Sequence, residues 1–169
     1  VEGNQNVSAS QADGPSVRST AGNFTHYSNA FLGLTKGLYN LSADTYVLAL
    51  LTGSYVPAPN ADTTWANISA NEVASGLGYT TGGLALTGTS DTLTGAIVTF
   101  SAANPSWANF SATHRYGVVV RRAGGSLAGT DLLYAFSDLG GGSNVTFGAP
   151  STYTVQFSAS GIMQYSHTP

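Results

Sequence analysis

From Tyr46 to Leu51 the chain carries six apolar residues in succession, its longest uninterrupted apolar run. A membrane-spanning helix needs roughly 20, so this run cannot cross a bilayer as a helix. Its length fits a strand covered on both faces, the kind found in the middle of a sheet. Elsewhere the hydrophobic period is two. Tyr153, Val155 and Phe157 alternate with Thr152, Thr154, Gln156 and Ser158, which predicts a strand with one buried and one wet face. His114 to Arg121 reads the same way, with Tyr116, Val118 and Val120 inward and Arg115, Gly117 and Arg121 mostly outward, and Leu132, Tyr134 and Phe136 make a third such face. Short strands are also expected at Leu84 to Thr87, Ala96 to Ser101 and Ile162 to Tyr165, separated by turn-forming clusters such as Pro57 to Asn60 and Gly140 to Asn144.

One segment has helical spacing. Tyr27, Phe31, Leu34 and Leu38 fall at i, i+4, i+7 and i+11, predicting a helix from about Tyr27 to Lys36 that buries these four and stops at Gly37. Such a helix would cover one side of the Tyr46 strand. Many short strands and one helix predict a mainly β chain: a β-sandwich or jelly-roll-like single domain over residues 23–169. Residues 1–22 hold only two clear hydrophobes, Val7 and Val17. They cannot nucleate a core and are expected to form an extended or disordered N-terminal arm, ordered against a neighbour if at all. Val1 to Thr20 has neither the basic start nor the apolar middle of a secretory signal.

Charge narrows the function. Only 8% of the 169 residues are charged, 5 basic against 8 acidic, for a net charge of −3. Soluble domains average about 25%. Five basic residues cannot build a broad phosphate-binding face, so nucleic acid is not expected as a partner. With no cysteine there is no disulfide framework, thiolate metal site or cysteine nucleophile. Arg115, Arg121 and Arg122 form the one basic cluster, readable as a docking point for an acidic partner or as a solvated strand face that discourages edge pairing.

No catalytic signature emerges. Gly124 to Gly129 misses the Gly-x-Ser-x-Gly elbow by one position, and Gly76, Gly78, Gly82 and Gly83 have the wrong spacing for a dinucleotide fingerprint, so both read as turns. His26, His114 and His167 lie too far apart for a metal motif, and Asn60, Asp62 and Thr64 lack the glycine and terminal Glu of a calcium loop. Ser69 to Glu72 has capping-box spacing, which gives Glu72 a structural task. Six Asn-x-Ser/Thr sequons, at Asn6, Asn23, Asn40, Asn67, Asn109 and Asn144, follow largely from the Ser/Thr content. The reading is a chain without catalytic residues, cofactor or metal.

Trp65-Ala66-Asn67-Ile68-Ser69-Ala70 returns as Trp107-Ala108-Asn109-Phe110-Ser111-Ala112, with one residue changed. The echo predicts a repeated corner, each with a buried indole and an Asn bonding its own backbone. The functional alternative is a pair of exposed tryptophans that stack on sugar, as in a carbohydrate-binding or host-attachment module of a tail fibre.

Leu48 to Thr52, Tyr55, Pro57, Trp65, Asn71-Glu72-Val73, Gly76 to Thr80, Gly82-Gly83 and Gly88, followed by Val98-Thr99-Phe100, Trp107-Ala108-Asn109, Arg115-Tyr116 and Gly161-Ile162, together resemble a family of tailed-bacteriophage virion proteins. The resemblance spans about Tyr27 to Tyr165. It implies a non-enzymatic head decoration or cement protein on the capsid exterior, touching the major capsid protein and copies of itself, with no membrane partner. Closed symmetry and the threefold positions of capsid lattices make a trimer the expected homo-oligomer.

Overall fold

A computed structural model describes residues 16–20, 24–148 and 150–166. In chain order its elements are β1 (Ser16–Thr20), β2 (Thr25–His26), α1 (Ser28–Thr35), β3 (Thr45–Leu51), α2 (Trp65–Ile68) with a 3-10 turn at Ser69–Asn71, β4 (Leu84–Ala85), β5 (Ser90–Thr94), β6 (Ile97–Ser101), β7 (Ser106–Phe110), β8 (Thr113–His114), β9 (Tyr116–Arg122), β10 (Leu132–Asp138), β11 (Val145–Thr146), β12 (Ser151–Gln156) and β13 (Met163–Ser166). The fold is mainly β, as the period-two segments predict. An antiparallel sheet of order β2-β10-β9-β3-β4 is joined by two three-stranded sheets, β1-β12-β7 and β13-β6-β5, and the pair β11-β8. One continuous core, from Phe24 to Ile162, ties them together.

The six-residue apolar run sits where its composition requires. Tyr46 to Leu51 are all fully buried, paired with β9 along their whole length and with β4 on the other edge. Tyr46 meets Phe100 of β6 and Tyr134 of β10 at ring separations of 5.0 and 5.6 Å, so the β13-β6-β5 sheet packs on that face of the large sheet. Strand β12 alternates as expected, with Ser151, Tyr153 and Val155 buried and Thr152, Thr154 and Gln156 more open.

Strands β9 and β10 differ from their expected half-wet character. Tyr116 to Val120 are buried without interruption, as are Leu133 to Ala135. The cause is packing on both faces of the sheet at β9, a central strand whose edges are paired with β10 and β3. Gly117 is the accommodation, because a Cβ there would press on Leu139 and Leu48. In β10 the register shifts between Leu133 and Ala135. At this irregularity Tyr134 enters a ring cluster with His26, Tyr39, Tyr46 and Phe100.

Helix α1 forms where predicted but turns a different face inward. Ala30 and Gly33 are its buried residues, and the Tyr39 ring lies so close to Gly33 that any side chain there would displace it. Of the four residues expected inside, Tyr27, just before the helix, is buried and Leu34 is partly buried against the core, whereas Phe31 is 60% and Leu38 45% exposed. Small residues decide the orientation because they allow close approach, while rings from outside the helix fill the space. The helix packs on β10 rather than on β3. Gly37, at φ +67°, ends it: its N–H donates to Leu34 O and the Leu38 N–H to Gly33 O, satisfying two terminal carbonyls.

Two further expectations change. Part of the predicted arm, Ser16–Thr20, is a strand that pairs in parallel with β12, so it is ordered against its own domain. Residues 1–15 and 21–23 lie outside the described part. The tryptophan echo is not a repeated corner: the first copy is α2 with its 3-10 turn, the second is mostly β7.

Candidate functional site

The basic cluster separates into paired and unpaired members. Arg115 donates through Nε and Nη2 to Asp138 Oδ2 at 3.1 and 2.8 Å, and its guanidinium lies 4.8 Å over the Tyr116 ring. Arg121 donates to Asp44 Oδ2 at 2.7 Å and to Oδ1 at 3.4 Å. Burial works to raise the Asp44 carboxyl, but Arg121 and the Asn40 amide outweigh it and hold it below the ordinary value. Asp138 is lowered likewise, burial being outweighed by Arg115 and the Gly142 amide. These pairs tie β9 to its own surroundings.

Arg122 makes no ion pair among the described residues, and its Nε is buried without a hydrogen-bond partner. It lines a pocket of about 410 Å³ together with Trp65, Glu72, Gly82, Gly83 and Ser126. Three pieces of chain build the walls. The loop from Ala123 to Asp131 is held by the buried Asp131 carboxylate, which accepts the Ala123 and Ala128 N–H groups at 2.9 and 2.8 Å. Helix α2 docks on that loop, with Trp65 N–H donating to Asp131 O and Ala66 N–H to Gly129 O. The glycine turn at Gly82-Gly83 lies against β3, where a Cβ on Gly83 would collide with the Leu48 carbonyl; its φ of +68° also favours glycine.

Glu72 joins the pocket to the sheet, and not by capping a helix. It closes the 3-10 turn and bridges Leu51, because the chain leaves the turn to run beside β3. Its Oε1 accepts the Tyr79 hydroxyl at 2.8 Å and the Gly82 N–H at 2.6 Å. Burial pushes its pKa up, against the opposing effect of these donors. Tyr79 in turn accepts the Leu50 N–H at 3.1 Å, standing in for a strand neighbour.

Neither tryptophan offers a face to solvent: Trp65 is 5% and Trp107 6% exposed. Trp107 stacks on Tyr153 at 5.8 Å and 20°, with Tyr79 at 6.2 Å. An exposed stacking pair is therefore not formed. The histidines are also spread out. His26 Nε2 meets the Tyr165 hydroxyl at 2.6 Å and His114 Nε2 the Tyr153 hydroxyl at 2.8 Å, and burial lowers both to about 4. His167 lies outside the described residues. Asp62 accepts from Tyr55 OH and Ala58 N–H, and Asn60 from Ser28, so these oxygens hold loops. Among the described residues no group of three or more His, Cys, Asp or Glu is placed to hold a metal.

Sequence reasoning singled out Arg122 only as a member of the cluster and missed the pocket. Its parts come from positions 65, 72, 81–83, 122 and 125–127, which no local spacing connects. Compared with known proteins, the chain matches no family model, no curated protein and no solved structure.

Proposed function

We propose that this chain is a non-enzymatic structural protein of a tailed-bacteriophage particle, decorating or cementing the capsid exterior. Its partners are the major capsid protein and further copies of itself, with a trimer as the expected assembly. One observation supports the reading beyond the motif resemblance: α1 and the residue after its stop leave Phe31, Leu32 and Leu38 at 60, 49 and 45% exposure. Two of the three clustered arginines are meanwhile tied up in intrachain pairs. Exposed large apolar side chains in a charge-poor chain suit attachment by apolar matching more than by long-range charge. Moderate salt should accordingly release little of the protein, since screening acts on exposed charges.

Imaging whole particles by cryo-electron microscopy is the direct test. Density for this fold on the head exterior is the expected result, with Phe31→Asp and Leu32→Asp lowering its occupancy. Density on tail fibres would favour host attachment, and absence of the chain from purified particles would overturn the reading.

A further inference from the structure

Among the described residues Arg122 is a cation that has no ion pair and whose Nε is buried without an acceptor. Buried polar atoms are almost always hydrogen-bonded, so an exception calls for an explanation. Here Nε has no acceptor, although the half-buried carboxylate of Glu72 lines the same pocket. The two do not pair, for no contact within 4.0 Å joins them. Glu72 is instead held by Tyr79 and Gly82. The pocket is thus lined by a guanidinium without an ion pair, whose Nε is closed to solvent so that a ligand would meet it at the Nη groups, and, separately, by a carboxylate with capacity for further donors, since an ionised carboxylate can accept about four.

We propose that this pocket binds a small acidic sugar of the hexuronate type, its carboxylate paired with Arg122 and its hydroxyls donating to Glu72. A guanidinium fork matches a carboxylate in plane, the strongest hydrogen-bonded pairing available to a side chain. An inorganic anion would use Arg122 and leave Glu72 facing it with like charge. A ligand that is anionic at one end and hydroxylated at the other satisfies both groups. Ser126, Thr81 and the glycine turn add polar walls suited to further hydroxyls, and about 410 Å³ falls in the range of small-molecule sites. The walls are preformed: Asp131 fixes one loop, and close packing on Leu48 fixes Gly83. No residue of α1 takes part, so this inference and the particle reading can fail separately.

Titration of the full-length, 15N-labelled chain with sodium glucuronate, glucose and alanine tests it. Glucuronate should give saturable amide shifts at Gly82, Gly83, Gly125 and Ser126, and glucose and alanine should bind at least about tenfold more weakly, the scale of one lost charge-assisted bond. Arg122→Gln should weaken glucuronate by about tenfold or more. Gly125→Phe should abolish binding, since a side chain there enters open space and can block the pocket without disturbing its neighbours. No saturable shift at about 20 mM glucuronate, in the millimolar affinity range, would overturn the proposal. So would equal affinity for glucose, tighter binding of alanine, or an unchanged affinity in either variant. If Arg122→Gln fails to fold, Gly125→Phe decides alone.

Discussion

At Trp65 to Ala70 the chain makes a helical turn, while at Trp107 to Ala112, with five of six residues identical, it runs through the end of a strand. What differs is the backbone partner on offer. Upstream of the first copy stand Thr63 and Thr64, whose N–H groups both donate to Asn67 Oδ1 at 3.0 Å, completing a capping box. The carbonyls of Asp131 and Gly129 receive the N–H groups of Trp65 and Ala66. Upstream of the second copy are Pro105 and Ser106, and β12 lies alongside, pairing Tyr153 with Trp107 and Thr154 with Ser106. Helix propensities differ by no more than about 0.7 kcal/mol among ordinary residues, whereas burying a large side chain contributes about 1.5–3 kcal/mol. Both copies bury their indole, so burial is common to both and the neighbouring chain selects the backbone.

The surroundings of the two indoles differ more than their exposure. Trp107 stacks on Tyr153 and also meets Tyr79 and Phe110. Trp65 has no ring partner among the described residues. Trp107→Ala should therefore destabilise by about 3–5 kcal/mol and Trp65→Ala by less, near the lower end of that range. Chemical denaturation of both variants gives the comparison. A Trp65→Ala loss equal to or above that of Trp107→Ala would mean that the helical copy is the more tightly built one.

Acid should separate the copies next. His114 sits in the ring cluster of the second copy, 5.5 Å from Phe110 and 4.7 Å from Tyr153. Burial lowers its pKa from 6.5 to about 4. Between those values the unfolded chain carries a proton that the folded chain lacks, so stability is full above pH 6.5 and falls as the pH drops towards 4. This shift corresponds to about 3 kcal/mol at most. Glu72, beside the first copy, acts with the opposite sign: its raised pKa costs stability as pH rises through it, and acid relieves that cost. Amide exchange at pH 5 should open residues 107–112 before 65–71, and His114→Phe should flatten the difference. Equal loosening of both segments would count against the assignment.

Exchanging the single differing residue sharpens the point. Ile68→Phe places a ring where Ile68 is 1% exposed, an overpacking cost of about 1–3 kcal/mol. Phe110→Ile removes ring contacts with Phe147, His114 and Tyr153, a loss of similar size. In both variants the amide chemical shifts should keep α2 helical and β7 extended, since the partners that set each backbone are untouched. A change of secondary structure would show that position four of the hexapeptide carries the choice.

The strands were legible because their signal is local. The apolar run of β3 and the alternation of β12 state their own burial, and Gly37 marks the helix stop. What could not be read needed a partner from far along the chain. Phe31 and Leu38 look like core residues until Tyr39 takes the place beside Gly33. Val119 has a wet side only if β9 has an open face, and packing over both faces of the sheet removes it. β1 carries no apolar period at all and depends on β12. Of the site, the arginines were visible, but not which of them would find Asp138 or Asp44 and which would be left without a carboxylate.

The smallest expected effects lie at the two asparagines, which do different work in the same sequence context. Asn67 closes the capping box, so Asn67→Ala should lose about 1 kcal/mol, and glycine should not restore it because the lost element is an acceptor. Asn109 adopts φ +53°, in the left-handed region, and a side chain on Gly78 would strike its carbonyl, so the turn at Gly76 to Tyr79 is seated on this backbone. There Asn109→Ala should also cost about 1 kcal/mol, through the conformation and not through a bond, and Asn109→Gly should cost close to nothing or stabilise. The glycine variants thus separate mechanisms that the alanine variants do not. Thermal and denaturant unfolding of the four chains would measure it, and a glycine loss at Asn109 as large as the alanine loss would show that its side chain, and not its backbone angle, holds the second copy in place.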